Sequence, residues 1–333
     1  MTATMISAHD PCLYDVALPL QQTFYPLGFP VTLHTNSKQI QDAAREVWGQ
    51  CQPVFQEIPI QLRFAVDASS TSERTPAVMP RAQGNLFSNI HSAENYYTAD
   101  LSRGFAFGWF TPSVVRDSAF FRYHFLESAA YLMLNVLYLT PIHGACVGLD
   151  GAGIVLCGRS GAGKTSLAFA CARKGWEFIC DDASHLVRND ASHDYRSISI
   201  VGRPHRIRFR ESARALFPEL AARESCLRVN GKMDIEAPSH EVGIEHIRSQ
   251  IRAAAIVFLN RSPSGSASLR RYPKDQAREF MEEAISVGEE PTRQAQRQSL
   301  DRFLELPVFE LTYSGLDGAE RCLRAFMEQG DQR

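Results

Sequence analysis

Apolar positions in the N-terminal third change period repeatedly, as they do where short strands alternate with a helix. Phe29 to Leu33 is a compact apolar run and predicts a strand. Asn36 or Ser37 then offers an N-cap for a helix ending near Gly49, with Ile40, Ala43, Ala44 and Val47 on one face. Ile58 to Val66 alternates as a half-buried strand, Ile60, Leu62 and Phe64 against Gln61, Arg63 and Ala65. The Ser- and Thr-rich segment Asp67 to Thr75 reads as a surface loop. Aromatic-rich stretches between Asn85 and Phe110, separated by Ser, Asn, Asp and Gly, read as a β-meander. From Ser118 to Leu139 the period lengthens. Phe121, Phe125, Ala129, Leu132 and Val136 recur at helical spacing, and Pro141 ends the run.

Further along, Ile154 to Cys157, Ala253 to Leu259 and Val308 to Tyr313 predict strands. Thr165 to Arg173, Pro273 to Ala284 and Gly318 to Met327 predict helices. A chain of 333 residues is long enough for about two domains at roughly 150 residues each. The boundary is placed near Pro112, giving a small mixed α/β domain over 1–112 with no recognisable chemistry and a second α/β domain over 113–333.

Charge removes some function classes. Lys and Arg number 35 against 37 Asp and Glu, so the chain has no global electrostatic footprint for nucleic acid. The longest apolar stretch, Ala129 to Thr140, is far short of a membrane span. No basic segment at the N-terminus leads into an apolar run, so a cytoplasmic protein without a membrane partner is expected. Cys12, Cys51, Cys146, Cys157, Cys171, Cys180, Cys226 and Cys322 are scattered without a CxxC pair, which argues against a zinc site or disulfide framework.

The strongest chemical signal is Gly158-Arg-Ser-Gly-Ala-Gly-Lys-Thr165, a complete GxxxxGK[ST] between a predicted strand and a predicted helix. Its glycines let backbone N–H groups turn inward around phosphate oxygens, and the helix N-terminus adds partial positive charge. Candidate nucleotide-binding residues are Gly158, Ser160, Gly161, Ala162, Gly163, Lys164, Thr165 and Ser166. Lys164 supplies a full charge to the β- and γ-phosphates, and the Thr165 hydroxyl ligates Mg²⁺. Gly175-Trp-Glu-Phe-Ile-Cys-Asp181-Asp182 follows, read as an apolar strand ending in two carboxylates. Seventeen positions separate Lys164 from Asp181, room for one helix and an adjacent strand, whereas most P-loop GTPases and motor ATPases place the acidic strand much further along. One carboxylate of such a pair can accept a hydroxyl proton while the other orients metal or lysine. A solvated Asp-Asp serving as a turn or cap is the competing reading.

Ile142-His143-Gly144, Leu149 to Leu156, Gly158 to Thr165 and Arg173 to Asp182 together resemble the core of HPr kinase/phosphorylase. The resemblance implies a C-terminal domain related to phosphoenolpyruvate carboxykinase, using ATP and Mg²⁺. It implies that Asp181 is the general base toward an acceptor serine, with Asp182 its supporting carboxylate and a metal ligand beside Thr165. Lys164 would hold phosphates, and His143 would sit near the base. The family's downstream E-[IV]-R-G-x-G-I segment is absent. Its place is taken by Ile200 to Arg210, so the chain looks closer to the broader group of HPr-kinase-related proteins, some of which phosphorylate a peptide serine, than to an enzyme acting on HPr itself.

That basic run holds Arg203, His205, Arg206, Arg208 and Arg210, and strand alternation puts the last three on one face. Arg206 and Arg208, with Lys232 in the turn Asn-Gly-Lys-Met-Asp234, are candidates for binding phosphate or an acidic peptide. The expected activity is transfer of the γ-phosphoryl of ATP to a serine on a small protein or peptide, in a chain able to form a homo-oligomer. A nucleotide-responsive binding protein, and phosphorolysis or hydrolysis at the same site, are the alternatives.

Overall fold

The computed structural model describes residues 16–69, 78–188, 198–227, 233–285 and 287–330. The protein is mixed α/β and divides into two compact units, Met1–Tyr138 with Val287–Arg293, and Leu139–Ser286 with Gln294–Arg333.

The first unit is built on strands β1 (Leu20–Phe24), β2 (Val31–Thr35), β3 (Ile60–Val66), β4 (Met79–Gln83), β5 (Leu86–Ser92), β6 (Asn95–Asp100) and β7 (Phe105–Phe110), in the sheet order β1-β2-β3-β7-β6-β5-β4. The meander expected between Asn85 and Phe110 is present as β5, β6 and β7. Helix α1 (Lys38–Trp48) starts at Ser37, whose hydroxyl accepts from the Ile40 N–H at 3.4 Å, and buries Ile40, Ala43, Ala44 and Trp48. The helical stretch after Pro112 is not continuous. It comprises α2 (Pro112–Arg116), α3 (Ser118–Phe121), a π-helical turn Arg122–Glu127 and α4 (Ser128–Leu137). Phe110 meets Phe121 at 5.0 Å and Phe125 at 4.9 Å, both in edge geometry. That packing is why the stretch belongs to the first sheet. The division falls at Tyr138, not near Pro112.

The second unit contains β8 (Leu139–Leu149), β9 (Ala152–Cys157), α5 (Lys164–Ala172), β10 (Glu177–Cys180), β11 (Ala183–Val187), β12 (Ser199–Val201) and β13 (Arg206–Arg210). It continues with β14 (Cys226–Leu227), β15 (Met233–Pro238), β16 (Gln250–Arg261), β17 (Ser268–Arg271), α6 (Lys274–Glu282), α7 (Glu290–Phe303, from Gln294 onward), β18 (Val308–Tyr313) and α8 (Leu316–Gly330). β8 pairs antiparallel with β9, β9 parallel with β16, β16 antiparallel with β12, β12 with β11, and β11 with β8. These five strands therefore close a ring. β18 and β17 extend β16 outward, and β13, β15 and β14 form a separate small sheet.

Alternation along the strands sorts the core into two clusters. Ala145, Val147, Ile154 and Leu156 pack with Leu167, Phe169 and Cys171 of α5, Ala319 and Leu323 of α8, and Ile207 and Phe209 of β13. Ile142, Cys146, Val155 and Cys157 pack with Ala277 and Met281 of α6 and Leu300 and Phe303 of α7. No helix among the described residues is long and apolar enough to cross a membrane.

Candidate functional site

β9 delivers the chain into the glycine loop, and α5 starts at its far end. Gly161 and Gly163 sit at φ 91° and 97°, backbone that L side chains rarely adopt. A Cβ at Gly163 would also overlap the Tyr313 hydroxyl. No side chain caps the start of α5, so its first N–H groups are left for an anion. Tyr313, at the end of β18 and 2% exposed, braces the loop by donating to the Ala162 carbonyl at 3.0 Å. Its site role was not read from the sequence, where it was only the last apolar position of a strand.

Lys164 is 6% exposed. Its ammonium donates to the Gly158 carbonyl at 2.7 Å and contacts His143 Nε2 at 3.2 Å. Burial pulls its pKa below the ordinary lysine value, and the Asp182 carboxylate works against that shift. His143 lies on β8 opposite Ala183 of β11, the residue following the acidic pair. If Nε2 accepts from the ammonium, its ring proton sits on Nδ1, which faces Asp182 Oδ1 at 3.4 Å. Lys164, His143 and Asp182 thus form one polar chain reaching from the cradle to the acidic pair.

β10 ends at Cys180 and the two carboxylates follow it directly, as the sequence suggests, but the chain resumes as a strand at once. β10 and β11 run along the same edge of β8, with Cys180 opposite Cys146 and Ala183 opposite His143, and Asp181 and Asp182 occupy the interruption between those pairings. The Thr165 hydroxyl donates to the Asp181 carbonyl at 3.4 Å, which holds the first turn of α5 against this interruption. Asp181 Oδ2 accepts the Arg208 backbone N–H at 2.9 Å. Burial pushes the Asp181 carboxyl up to about 6; that hydrogen bond opposes the shift and the Asp182 charge adds to it. The Thr165 hydroxyl and the Asp182 carboxylate are hard oxygen donors, the class that Mg²⁺ takes alongside phosphate oxygens. An uncapped helix start with one buried lysine suits a polyphosphate.

β13 lies beside this site because Ile207 and Phe209 point into the core, where Phe209 meets Phe169 of α5 edge-on at 4.9 Å. Arg206, Arg208 and Arg210 therefore share the opposite face, as alternation predicts. Glu236 on β15, which sequence reading missed, accepts from Arg206 at 2.5 Å and from Arg208 Nε at 3.3 Å. Only the strand register, which puts Arg208 directly opposite Glu236, brings that carboxylate to the site. Both guanidiniums proposed for substrate are thus already held by a carboxylate. Arg210 instead donates to the Ser160 hydroxyl in the glycine loop. Ser166 is half-buried on α5, Asp234 pairs with Arg210 in β15 rather than forming a turn, and Lys232 lies outside the described residues.

No family model matches the chain. Over 81 residues it is 30% identical to the HPr kinase/phosphorylase of Enterococcus faecalis, a match spanning 24% of this chain and 24% of that protein. The chain therefore covers about a quarter of that relative's length. The structure of the HPr(Ser) kinase/phosphatase from Coxiella burnetii aligns over 57% of this chain and 98% of that one, with 12% identity and a TM-score of 0.31. The sequence match bears out the likeness to HPr-kinase-like proteins read from the motifs.

Proposed function

We propose that this chain is an ATP- and Mg²⁺-dependent phosphotransferase that moves the γ-phosphoryl group to a serine hydroxyl on a small protein or peptide. The observation that carries the reading is the chain of contacts Lys164–His143–Asp182, with Asp181 beside it held near a pKa of about 6. The serine oxygen attacks the γ-phosphorus and its proton passes to Asp181. The bond from the γ-phosphorus to the bridging oxygen breaks, and ADP leaves. A carboxyl near 6 is mostly ionised at neutral pH, yet basic enough to take that proton. Lys164 and the amides of the glycine loop offset charge on the phosphates. Thr165 and Asp182 are the residues that would hold Mg²⁺, which neutralises the polyphosphate when bound. The nucleotide-binding residues are those of the glycine loop, Gly158 to Ser166, and the functional domain begins at Leu139.

This reading takes its acceptor class from the family resemblance. The match to a protein called HPr kinase/phosphorylase makes HPr the first acceptor to try, and short serine peptides the second. A cytoplasmic location belongs to the same proposal. The hold of Glu236 on Arg206 and Arg208 favours a second reading, a nucleotide-responsive binding protein, because it takes up two cations that an acceptor would otherwise meet. Incubation with γ-labelled ATP and Mg²⁺ separates them. A labelled serine supports transfer, and bound but unreacted ATP supports the sensor. Release of phosphate or pyrophosphate without labelled acceptor points to hydrolysis or phosphorolysis on the same residues.

A further inference from the structure

Arg210 stands out within the basic strand. Arg206 and Arg208 are paired with Glu236, whereas among the described residues Arg210 has no carboxylate partner. Its guanidinium instead reaches the glycine loop and donates to the Ser160 hydroxyl. It is also near enough to Lys164 for its charge to help pull that lysine's pKa down. Two cations from different elements therefore converge on one cradle, the second with its guanidinium turned to the loop although Asp234 stands opposite it in the strand register. Placing like charges together is unfavourable unless an anion completes the site. A guanidinium has five N–H donors in a planar fork, so a bond to one hydroxyl leaves others for phosphate oxygens.

β13 also sets a ruler. The Arg208 N–H holds the Asp181 carboxylate, and two residues on, Arg210 holds the loop. Residues two apart on a strand are about 6.8 Å apart. One strand thus ties the base and the cradle to each other.

We propose that Arg210 is a second phosphate-binding cation of this site and contacts the terminal phosphate of a nucleoside triphosphate. The inference rests on the reading of the glycine loop as a nucleotide site and goes beyond it by assigning selectivity for triphosphate over diphosphate to one residue. As a group touching the transferred phosphoryl, Arg210 is catalytic, and its charge counters that developing on the equatorial oxygens.

The test is calorimetric titration of the full chain with Mg²⁺ and either a non-hydrolysable ATP analogue or ADP, comparing the natural protein with Arg210→Gln and Arg210→Lys. The side chain is exposed, and an unchanged thermal melt shows that the substitution leaves the fold intact. The expected result is a loss of about ten-fold or more in analogue affinity for Arg210→Gln, with ADP affinity changed less than about two-fold. Arg210→Lys should recover part of the loss, since it keeps the charge but not the fork. Equal losses for both nucleotides would reduce Arg210 to a prop for the loop, and no loss for either would remove it from the site; each overturns the inference alone. If the natural protein binds neither nucleotide, the proposed function falls first and takes this inference with it.

Discussion

At the scale of single residues, the proposed base Asp181 sits in an environment that fixes two pH dependences. As a base it must be ionised, so transfer should rise with pH through about 6 and level off above it. A pH–rate profile under saturating ATP checks this, and a rate that stays flat from pH 5 to 8 would contradict it. The stability effect has the opposite sign. The folded-state pKa lies above the ordinary value of 3.8, so between 3.8 and about 6 the native chain binds the extra proton, and stability falls as pH rises. Asp181→Asn keeps an oxygen to accept the Arg208 N–H but removes the buried charge. That variant should melt higher than the natural protein at pH 7, with the gain vanishing below about pH 4; melting curves at the two pH values decide. Much of this site was legible in the residues. Gly158 to Thr165 announces itself, and the acidic pair follows at short range. Glu236 and Tyr313 were not legible, because their roles come from strand register and from the approach of β18 to the loop.

Among the elements, β13 and α5 position the site through one packed contact. Phe209 is buried against Phe169. Phe209→Ala should cost about 3–5 kcal/mol by denaturant titration, if the cavity does not collapse. It should also loosen both bonds that β13 makes, to Asp181 and to Ser160. Gly163→Ala acts on the other side of the loop. It forces a Cβ toward the Tyr313 hydroxyl at a φ of 97°, and nucleotide binding should be lost while the rest of the fold persists. Calorimetry beside a far-UV spectrum checks both halves of that statement. Helices and strands with clear periodicity were readable, as with α1, β3, α6 and β18. β8 was not, because Pro141 read as the end of the preceding helical run although it lies within one eleven-residue strand. α7 escaped because its sequence, EPTRQAQRQSLDRF, offers only Leu300 and Phe303 as large apolar anchors. The acidic pair does follow a strand terminus at Cys180, but period alone does not show that β11 resumes along β8 after it.

For the molecule as a whole, the second unit contains every group of the candidate site, from His143 on β8 to Tyr313 on β18. The first unit contributes a separate sheet with an aromatic core. The boundary expected near Pro112 assigned the helical stretch that follows to the second domain, whereas the division into compact units falls after Tyr138 and Pro112 is the first residue of α2. The central claim, that Asp181 deprotonates an acceptor held beside a lysine-gripped polyphosphate, is tested most directly by transfer from γ-labelled ATP to HPr or a serine peptide. Asp181→Asn is run in parallel, and nucleotide binding is measured on both proteins. The account predicts labelled serine with the natural protein. With Asp181→Asn it predicts ATP affinity within about two-fold and transfer slowed by roughly 10²–10⁴-fold. Transfer by Asp181→Asn at the natural rate would contradict it.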